Sequence, residues 1–433
     1  MKNVSRRQLF KYGVAGAAGV IAVPYFVPSG VLATDETPGA NERITVGVIG
    51  VGQRARLLMD QLPEQGQIAS LADCSLTRCK VPCRYADDRS ARPNDPKWRI
   101  HQDYRKLLDE KDVDAVIIAT PDHGRVLPCI HACQAGKDIY AEKPLTLSIH
   151  EGRVLVETVR KHERILQVGS QQRSMAMNRL ACEFVRNGGI GEVRKVQTIN
   201  FPAASRIPDL PAQSVPADFN WDLWLGQAPF RPYNAQLLGW RAWWDYSGGG
   251  VTNMGAHAFD QVQWALGMDN TGPVEVWPVT PGQNGKVSFR YSNGVQVDAE
   301  LQDGHGPDCG AIFTGTKGKV EINRNKLTTN PRHIVKDMPP DAEIAKWRDE
   351  TGLWQAKYHI EDWLNCIKTR QLPNADVEIG HRSVTVCHLI NIAREVGRKI
   401  EWDPANEHVV GDQEANRLVC RPRRKGYELP AMV

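Results

Sequence analysis

A chain of 433 residues with 54 lysines and arginines against 50 acids is long enough for two domains and nearly balanced in charge. Its formal net charge of +4 is matched by Lys2, Arg6, Arg7 and Lys11, all ahead of the first acid, Asp35. The rest is neutral overall, so the apparent basicity reads as a targeting signal and does not argue for a nucleic-acid partner or an anionic membrane surface.

The chain opens on Ser5-Arg6-Arg7-Gln8-Leu9-Phe10-Lys11, a twin-arginine pattern, followed by small apolar residues from Tyr12 to Val27. Val31-Leu32-Ala33 offers a cleavage site, so residues 1–33 read as a signal peptide and 34–42 as a linker. The alternative is a membrane anchor, but Pro24, Pro28 and Gly30 break the apolar run short of the ~20 residues a span needs. Twin-arginine export carries proteins already folded, often around a cofactor. The expected location is therefore periplasmic or otherwise exported, with no membrane span after processing.

From residue 43 to 169 the pattern alternates strand and helix. Strands are predicted at 44–49, 67–72, 114–119, 138–141 and 165–168. Helices are predicted at 54–61, 103–108, 123–135 and 148–162. Continuous apolar runs such as Ala115-Val116-Ile117-Ile118 suit a parallel sheet covered on both faces. The alternation predicts a doubly wound α/β sheet. Proline and tryptophan dominate 201–250. Strands at 274–277, 286–291 and 295–299, with a hairpin signal at Tyr291-Ser292-Asn293-Gly294, predict an open, mainly antiparallel sheet. That sheet belongs to a second α/β domain spanning 170–345. Helices at 358–368 and 381–398 lie in a C-terminal segment, 346–433, that completes the two domains. There is no internal repeat.

Ten cysteines are many for an exported protein. Cys74, Cys79 and Cys83 lack a common zinc spacing, and Cys129 and Cys133 sit one helical turn apart among apolar residues. They read as core thiols, with a disulfide as the alternative. No metal site is expected: the histidines form no close pair beside acids at zinc-ligand spacing.

Gly50-Val51-Gly52-Gln53-Arg54-Ala55 follows the first strand and opens a helix. Gly50 permits the tight turn, Gly52 lets backbone approach a pyrophosphate, and Ala55 takes the third glycine position. Asp73 ends the next strand about 20 residues on, where a carboxylate accepts from ribose hydroxyls and repels a 2′-phosphate. The cofactor read from this is NAD. Arg78 keeps NADP as the alternative.

The residues that follow carry a family resemblance: Thr120-Pro121-Asp122-His123, Glu142-Lys143-Pro144-Leu145-Thr146, Gln167-Val168-Gly169-Ser170-Gln171-Gln172-Arg173, Trp221-Asp222-Leu223-Trp224-Leu225-Gly226, and Gly248-Gly249-Gly250 leading to Gly255-Ala256-His257. With the glycine turn, they resemble the glucose-fructose oxidoreductase / inositol dehydrogenase / rhizopine-catabolism (Gfo/Idh/MocA) family, and more narrowly its exported planctomycete-type members. The resemblance implies a Rossmann domain joined to an α/β domain whose open sheet often forms a homodimer or homotetramer interface.

It also implies catalysis by Lys143, with a cis bond to Pro144, and by His257. The family usually has an aspartate four residues before that histidine; here Asn253 stands there and can only orient by hydrogen bonds. Lys143 then carries more of the proton chemistry, or Asp260 stands in. Gly124-Arg125 is a second departure, expected to open room near the nicotinamide and to add a cation there. Thr120, Pro121, His123 and Glu142 are expected against the cofactor. Arg173, Trp240, Arg241 and Tyr246, with His257, are expected to line a sugar site; the alternative for the tryptophan cluster is core and subunit contact.

The expected function is NAD(P)-dependent hydride transfer at a sugar or cyclitol hydroxyl on a tightly bound, internally recycled cofactor. One alternative is an NAD-dependent glycosidase acting by transient oxidation and elimination of a glycoside. The other is a non-catalytic nucleotide-dependent sugar-binding protein, kept in view by Asn253.

Overall fold

The computed structural model describes residues 39, 42–80, 97–336, 338–340, 342–345 and 355–430. The expected signal peptide and Cys83 lie outside the described residues. The chain divides into two units, residues 1–43 and 44–433. In the first, the described part is a turn in which the Glu42 N–H donates to the Gly39 carbonyl at 2.9 Å. Both sheets belong to the second unit. Among the described residues no helix is long and apolar enough to cross a membrane.

The parallel sheet is built from β1 (Ile44–Ile49), α1 (Gln53–Asp60), β2 (Gly66–Ala72), α2 (Leu76–Lys80), β3 (Arg99–His101), α3 (Tyr104–Leu108), β4 (Ala115–Ile118), α4 (Val126–Gln134), β5 (Asp138–Ala141), α5 (Ile149–Lys161) and β6 (Leu166–Val168). The six strands lie in the order β3-β2-β1-β4-β5-β6, all parallel. The order reverses between β1 and β4, which opens a crevice at their carboxyl ends. β4 and β5 are buried at every position, as their unbroken apolar character requires. Short polar residues start the helices: Asp103 accepts from the Arg105 N–H ahead of α3, and Ser148 from the Glu151 N–H ahead of α5.

The second half continues with α6 (Ala176–Arg186), β7 (Val193–Ile199), α7 (Trp221–Leu225), α8 (Gly250–Asn253), α9 (Gly255–Leu266), β8 (Glu275–Pro278), β9 (Val287–Arg290), β10 (Gln296–Leu301), β11 (Ala311–Gly315), β12 (Lys319–Asn323) and β13 (Lys326–Asn330). The chain ends with α10 (Lys357–Thr369), α11 (Val377–Val396), β14 (Ile400–Asp403), β15 (His408–Val409) and α12 (Gln413–Arg417). Nine strands form an open sheet in the order β13-β12-β11-β7-β10-β9-β8-β14-β15. Its β7–β10 pair is parallel and the others are antiparallel. The helices α6 and α9 cover one face, with Ala181, Cys182, Val262 and Trp264 packed with Val196, Phe313 and Val320.

The C-terminal helices return to the parallel sheet. In α10, Trp363 meets Tyr140 of β5 edge-on, with ring centroids 5.7 Å apart. α11 crosses α5 where a Cβ on Gly152 would strike the His381 ring, and a Cβ on Gly380 would strike Val168. Absent side chains thus let α11 pack close to the parallel sheet, while its Val386, Leu389 and Ile390 join Val276 and Phe289 in the core of the nine-stranded sheet. Seven of the described cysteines are buried, and burial pushes the Cys129 thiol up to about 12. A thiol so placed behaves as a small hydrophobe.

Candidate active site

The crevice above β1 and β4 deepens into a cavity of about 640 Å³ that runs from Asp73 to His257. Its floor is the glycine turn. Gly50 has φ +82°, and a Cβ there would lie 2.8 Å from the Thr120 nitrogen, so the turn presses against the end of β4. A Cβ on Gly52 would meet nothing within 4 Å: that side faces open cavity. α1 starts there with no side-chain cap and no acid in its first turn, so its leading N–H groups face the space a pyrophosphate would take. Ala55 is fully buried and packs α1 onto the sheet, while Gln53 and Arg54 line the cavity.

Asp73 fixes the neighbouring wall. Its carboxylate accepts from the Val51 and Ser75 N–H groups, each at 2.8 Å, and faces the cavity. Burial raises its pKa, while Arg78, the two backbone bonds and Arg56 pull the other way. Gly50, Gly52 and Asp73 therefore make a cradle that fits a dinucleotide: open at the glycine, positive at the helix start, acidic where ribose hydroxyls would lie.

At the other end stands Glu142-Lys143-Pro144, with the Lys143–Pro144 peptide bond cis. Glu142 is buried, and its carboxylate accepts from Arg54 Nε at 2.6 Å and from the Lys143 N–H at 3.1 Å. A side chain at Gly169 would collide with it. Lys143 Nζ donates to the Asn253 carbonyl at 2.8 Å and to Asn253 Oδ1 at 3.1 Å. The break between α8 and α9 supplies that carbonyl, because the His257 N–H bonds to Met254 O instead. Burial draws the Lys143 ammonium down to about 8, against the pull of Glu142 and Asp122.

His257 is 4% exposed, on the first turn of α9, and lines the same cavity. Among the described residues its ring makes no hydrogen bond, which leaves both nitrogens to a ligand. Burial first, then the charges of Lys143, Arg324 and Arg54, hold its pKa well below the usual 6.5. The imidazole is neutral at neutral pH, beside a lysine that titrates nearby.

The other expected residues divide. Thr120, Pro121, Trp240 and Arg241 line the cavity, with the Arg241 guanidinium 4.5 Å from the Trp240 ring centroid. His123 lines it too, but Nε2 bonds to Trp224 O at 2.9 Å and the ring packs against Tyr246 and Trp224. Tyr246 is fully buried behind His123 and is not part of the cavity wall. Arg173 is buried away from the cavity: Nε bonds to Asp260 at 2.9 Å, Nη2 to Asp269 at 2.7 Å, and the guanidinium lies over Trp264. Asp260 is taken up by Arg173 and by Ser383 Oγ at 2.8 Å, so it does not stand in for the missing aspartate beside His257. Arg125 lines the cavity, but its guanidinium bonds to the Pro144, Thr120 and Asp122 oxygens. It ties the Thr120 turn to the Lys143 segment.

Sequence reasoning passed over Arg324. It sits at the two-residue tip of the β12–β13 hairpin, lines the cavity and donates Nε to Gln172 Oε1 at 3.1 Å. Buried Asn178 holds the tip by donating to Asn323 O and accepting from the Asn325 N–H. The available signal was local: Arg324-Asn325 between alternating segments, with Asn325 at φ 49°.

Comparison with known proteins agrees with the fold. A family model described as the NAD-binding Rossmann fold of an oxidoreductase family (GFO_IDH_MocA) matches residues 44–170. A second, the family's C-terminal alpha/beta domain (GFO_IDH_MocA_C2), matches residues 203–429. The uncharacterized oxidoreductase YrbE of Bacillus subtilis is 25% identical over 328 residues, 71% of this chain and 83% of that protein. Glycosyl hydrolase family 109 protein 1 of Shewanella sp. (strain ANA-3) is 24% identical over 208 residues, and the match spans only 45% of each chain. The solved aldose-aldose oxidoreductase of Caulobacter crescentus, crystallised with glycerol, superposes with a TM-score of 0.57 at 19% identity, covering 83% of this chain and 99% of that one.

Proposed function

This chain belongs to the Gfo/Idh/MocA oxidoreductase family and is an NAD-dependent oxidoreductase, and from that premise we propose that it transfers hydride at a sugar or cyclitol hydroxyl on a dinucleotide that stays bound. The observation that carries this reading is Lys143 Nζ, held by Asn253, sharing one cavity with neutral His257 and the dinucleotide cradle. Bound NAD supplies the hydride acceptor.

The chain's own residues handle the proton. As the free amine, Lys143 takes the proton of the hydroxyl being oxidised; as the ammonium, it returns it on reduction. His257 stays neutral and orients the same hydroxyl or its neighbour. Asn253 fixes the lysine without adding charge, so Lys143 is the principal acid-base group. Glu142 and Arg54 pair under the site and hold the Lys143 backbone. Trp240 offers an apolar face to sugar C–H groups, and Arg241 offers donors to hydroxyls.

The twin-arginine leader supports export of the folded, cofactor-loaded chain, in the manner of exported planctomycete-type members. Where no soluble nicotinamide pool exists, a redox-neutral cycle is the reading that allows repeated turnover. A solved relative is an aldose-aldose oxidoreductase, which fits oxidation of one sugar and reduction of another on one bound cofactor. The family 109 relatives favour a second reading, in which the sugar is oxidised, the aglycone eliminated, water added and the sugar reduced again. Assay of the purified chain without added nucleotide, on free sugars and on aryl glycosides, tests both. Turnover on paired sugars supports the first and aglycone release the second. Failure of the nucleotide-loaded chain on every substrate of both kinds contradicts the proposal.

A further inference from the structure

The dinucleotide motif does not account for what closes the cavity. Residues 218–227 come from the second half of the chain and form part of the cavity wall, bonded to segments of the first half. One end is tied to the loop that follows Asp73. The Asn220 N–H donates to Cys74 O at 2.8 Å and the Leu76 N–H to Asp218 O at 3.2 Å. The Asp218 carboxylate accepts from Ser75 Oγ at 2.9 Å and the Thr77 N–H at 3.1 Å, and Gln102 Nε2 bonds to Asp218 O at 3.0 Å. The other end meets His123 through Trp224 O, and Leu223, Trp224, Gly226 and Gln227 face the cavity.

The C-terminal tail fastens this segment from behind. Arg424 donates Nε to Gly226 O at 2.8 Å, Nη1 to Asp222 Oδ1 at 2.6 Å and Nη2 to Asp222 O at 2.9 Å, and its own N–H bonds to Gln227 O at 3.1 Å. Gln227 and Arg423 share one oxygen of the buried Glu151 carboxylate on α5, at 2.6 and 2.5 Å. Tyr427 lies under Arg424 and lines the cavity.

We infer that residues 218–227 and the tail from Arg423 to Tyr427 form a strap across the dinucleotide site, so that cofactor enters or leaves only when the strap unlatches. The inference rests on the dinucleotide-binding reading above. The strap is fixed beside Asp73 of the cradle at one point and on His123, further along the cavity wall, at another, so it lies along the bound molecule. Asp218 and Arg424 do not line the cavity, so their loss loosens the strap without removing a ligand contact.

The test uses the full chain loaded with NADH, with release followed by loss of nicotinamide fluorescence on dilution into excess NAD. Arg424→Ala and Asp218→Ala should each speed release roughly 10-fold or more, since several hydrogen bonds go at once. Release within about two-fold of the unaltered chain, from variants that melt normally and start with equal nucleotide, overturns the strap. Should either variant fail to fold, hydrogen exchange on the unaltered loaded chain decides. The Asn220, Leu76 and Thr77 amides should open no more slowly than nucleotide leaves, and release faster than their opening overturns the inference. A chain that binds no dinucleotide overturns the parent reading as well. A chain that binds it and releases it regardless of these contacts overturns the strap alone.

Discussion

Lys143 has two ways to be useful, and its surroundings select between them. A fully solvated lysine stays an ammonium at physiological pH and accepts nothing. Buried against Asn253, it lies at about 8, where both forms are populated. Below that value the ammonium dominates, and above it the free amine. The kcat/KM for oxidation should therefore rise with pH through about 8, and that for reduction should fall over the same window. Asn253→Asp would place an anion against Nζ, favour the ammonium and move the midpoint up by about one unit; a pH–rate profile of the variant checks this. Lys143→Met should lower kcat about 10²–10⁴-fold while leaving dinucleotide binding in place, measured by steady-state kinetics beside nucleotide titration. Lys143, His257 and Asn253 were legible because they stand in contiguous motifs. Arg173 and Tyr246 were not: an arginine and a tyrosine near a sugar site look the same in sequence whether they face a ligand or, as here, brace Asp260 and His123.

At the scale of elements, local backbone form carries the site. The turn after β1 needs a left-handed residue that also fits against Thr120, and Gly50 meets both demands. Gly50→Ala should cost about 1–3 kcal/mol of stability and weaken dinucleotide binding, read by thermal melting with and without NAD. The helix interruption at Met254 has a comparable role, because it frees the Asn253 carbonyl for Lys143. Strands of the parallel sheet were readable because each is an apolar run bounded by turns. Short, exposed β3 was missed for want of such a run. The parallel pairing of β7 with β10 was unreadable for another reason: the partners lie far apart in the chain, and alternation along a strand says nothing of direction. The strap leaves no mark in the sequence because its contacts join three separate segments.

For the whole molecule, buried neutral histidines set an acid limit. His123 and His359 are drawn down to about 4 by burial, from an ordinary 6.5. The unfolded chain takes up protons at these positions as pH falls below 6.5, while the folded chain refuses them until about 4. Their contribution is complete above 6.5 and is lost as pH falls towards 4, so the melting temperature should drop progressively across that window. The C-terminal helices unite the molecule: α10 sits on the parallel sheet through Trp363, and α11 packs on β6 through Gly380 and joins the core of the nine-stranded sheet. Helix periodicity announced them, but only the structure shows which sheet each serves.

The most direct test of hydride transfer through Lys143 is the redox state of the bound nicotinamide in a single turnover. Nucleotide-loaded chain, freed of unbound nucleotide, is mixed with candidate sugars and cyclitols while the absorbance of reduced nicotinamide is followed. On this mechanism a donor should make this signal appear, an acceptor should remove it, and Lys143→Met should slow both by orders of magnitude at equal nucleotide content. A bound nicotinamide that never changes redox state, or one that changes as fast without Lys143, would contradict it.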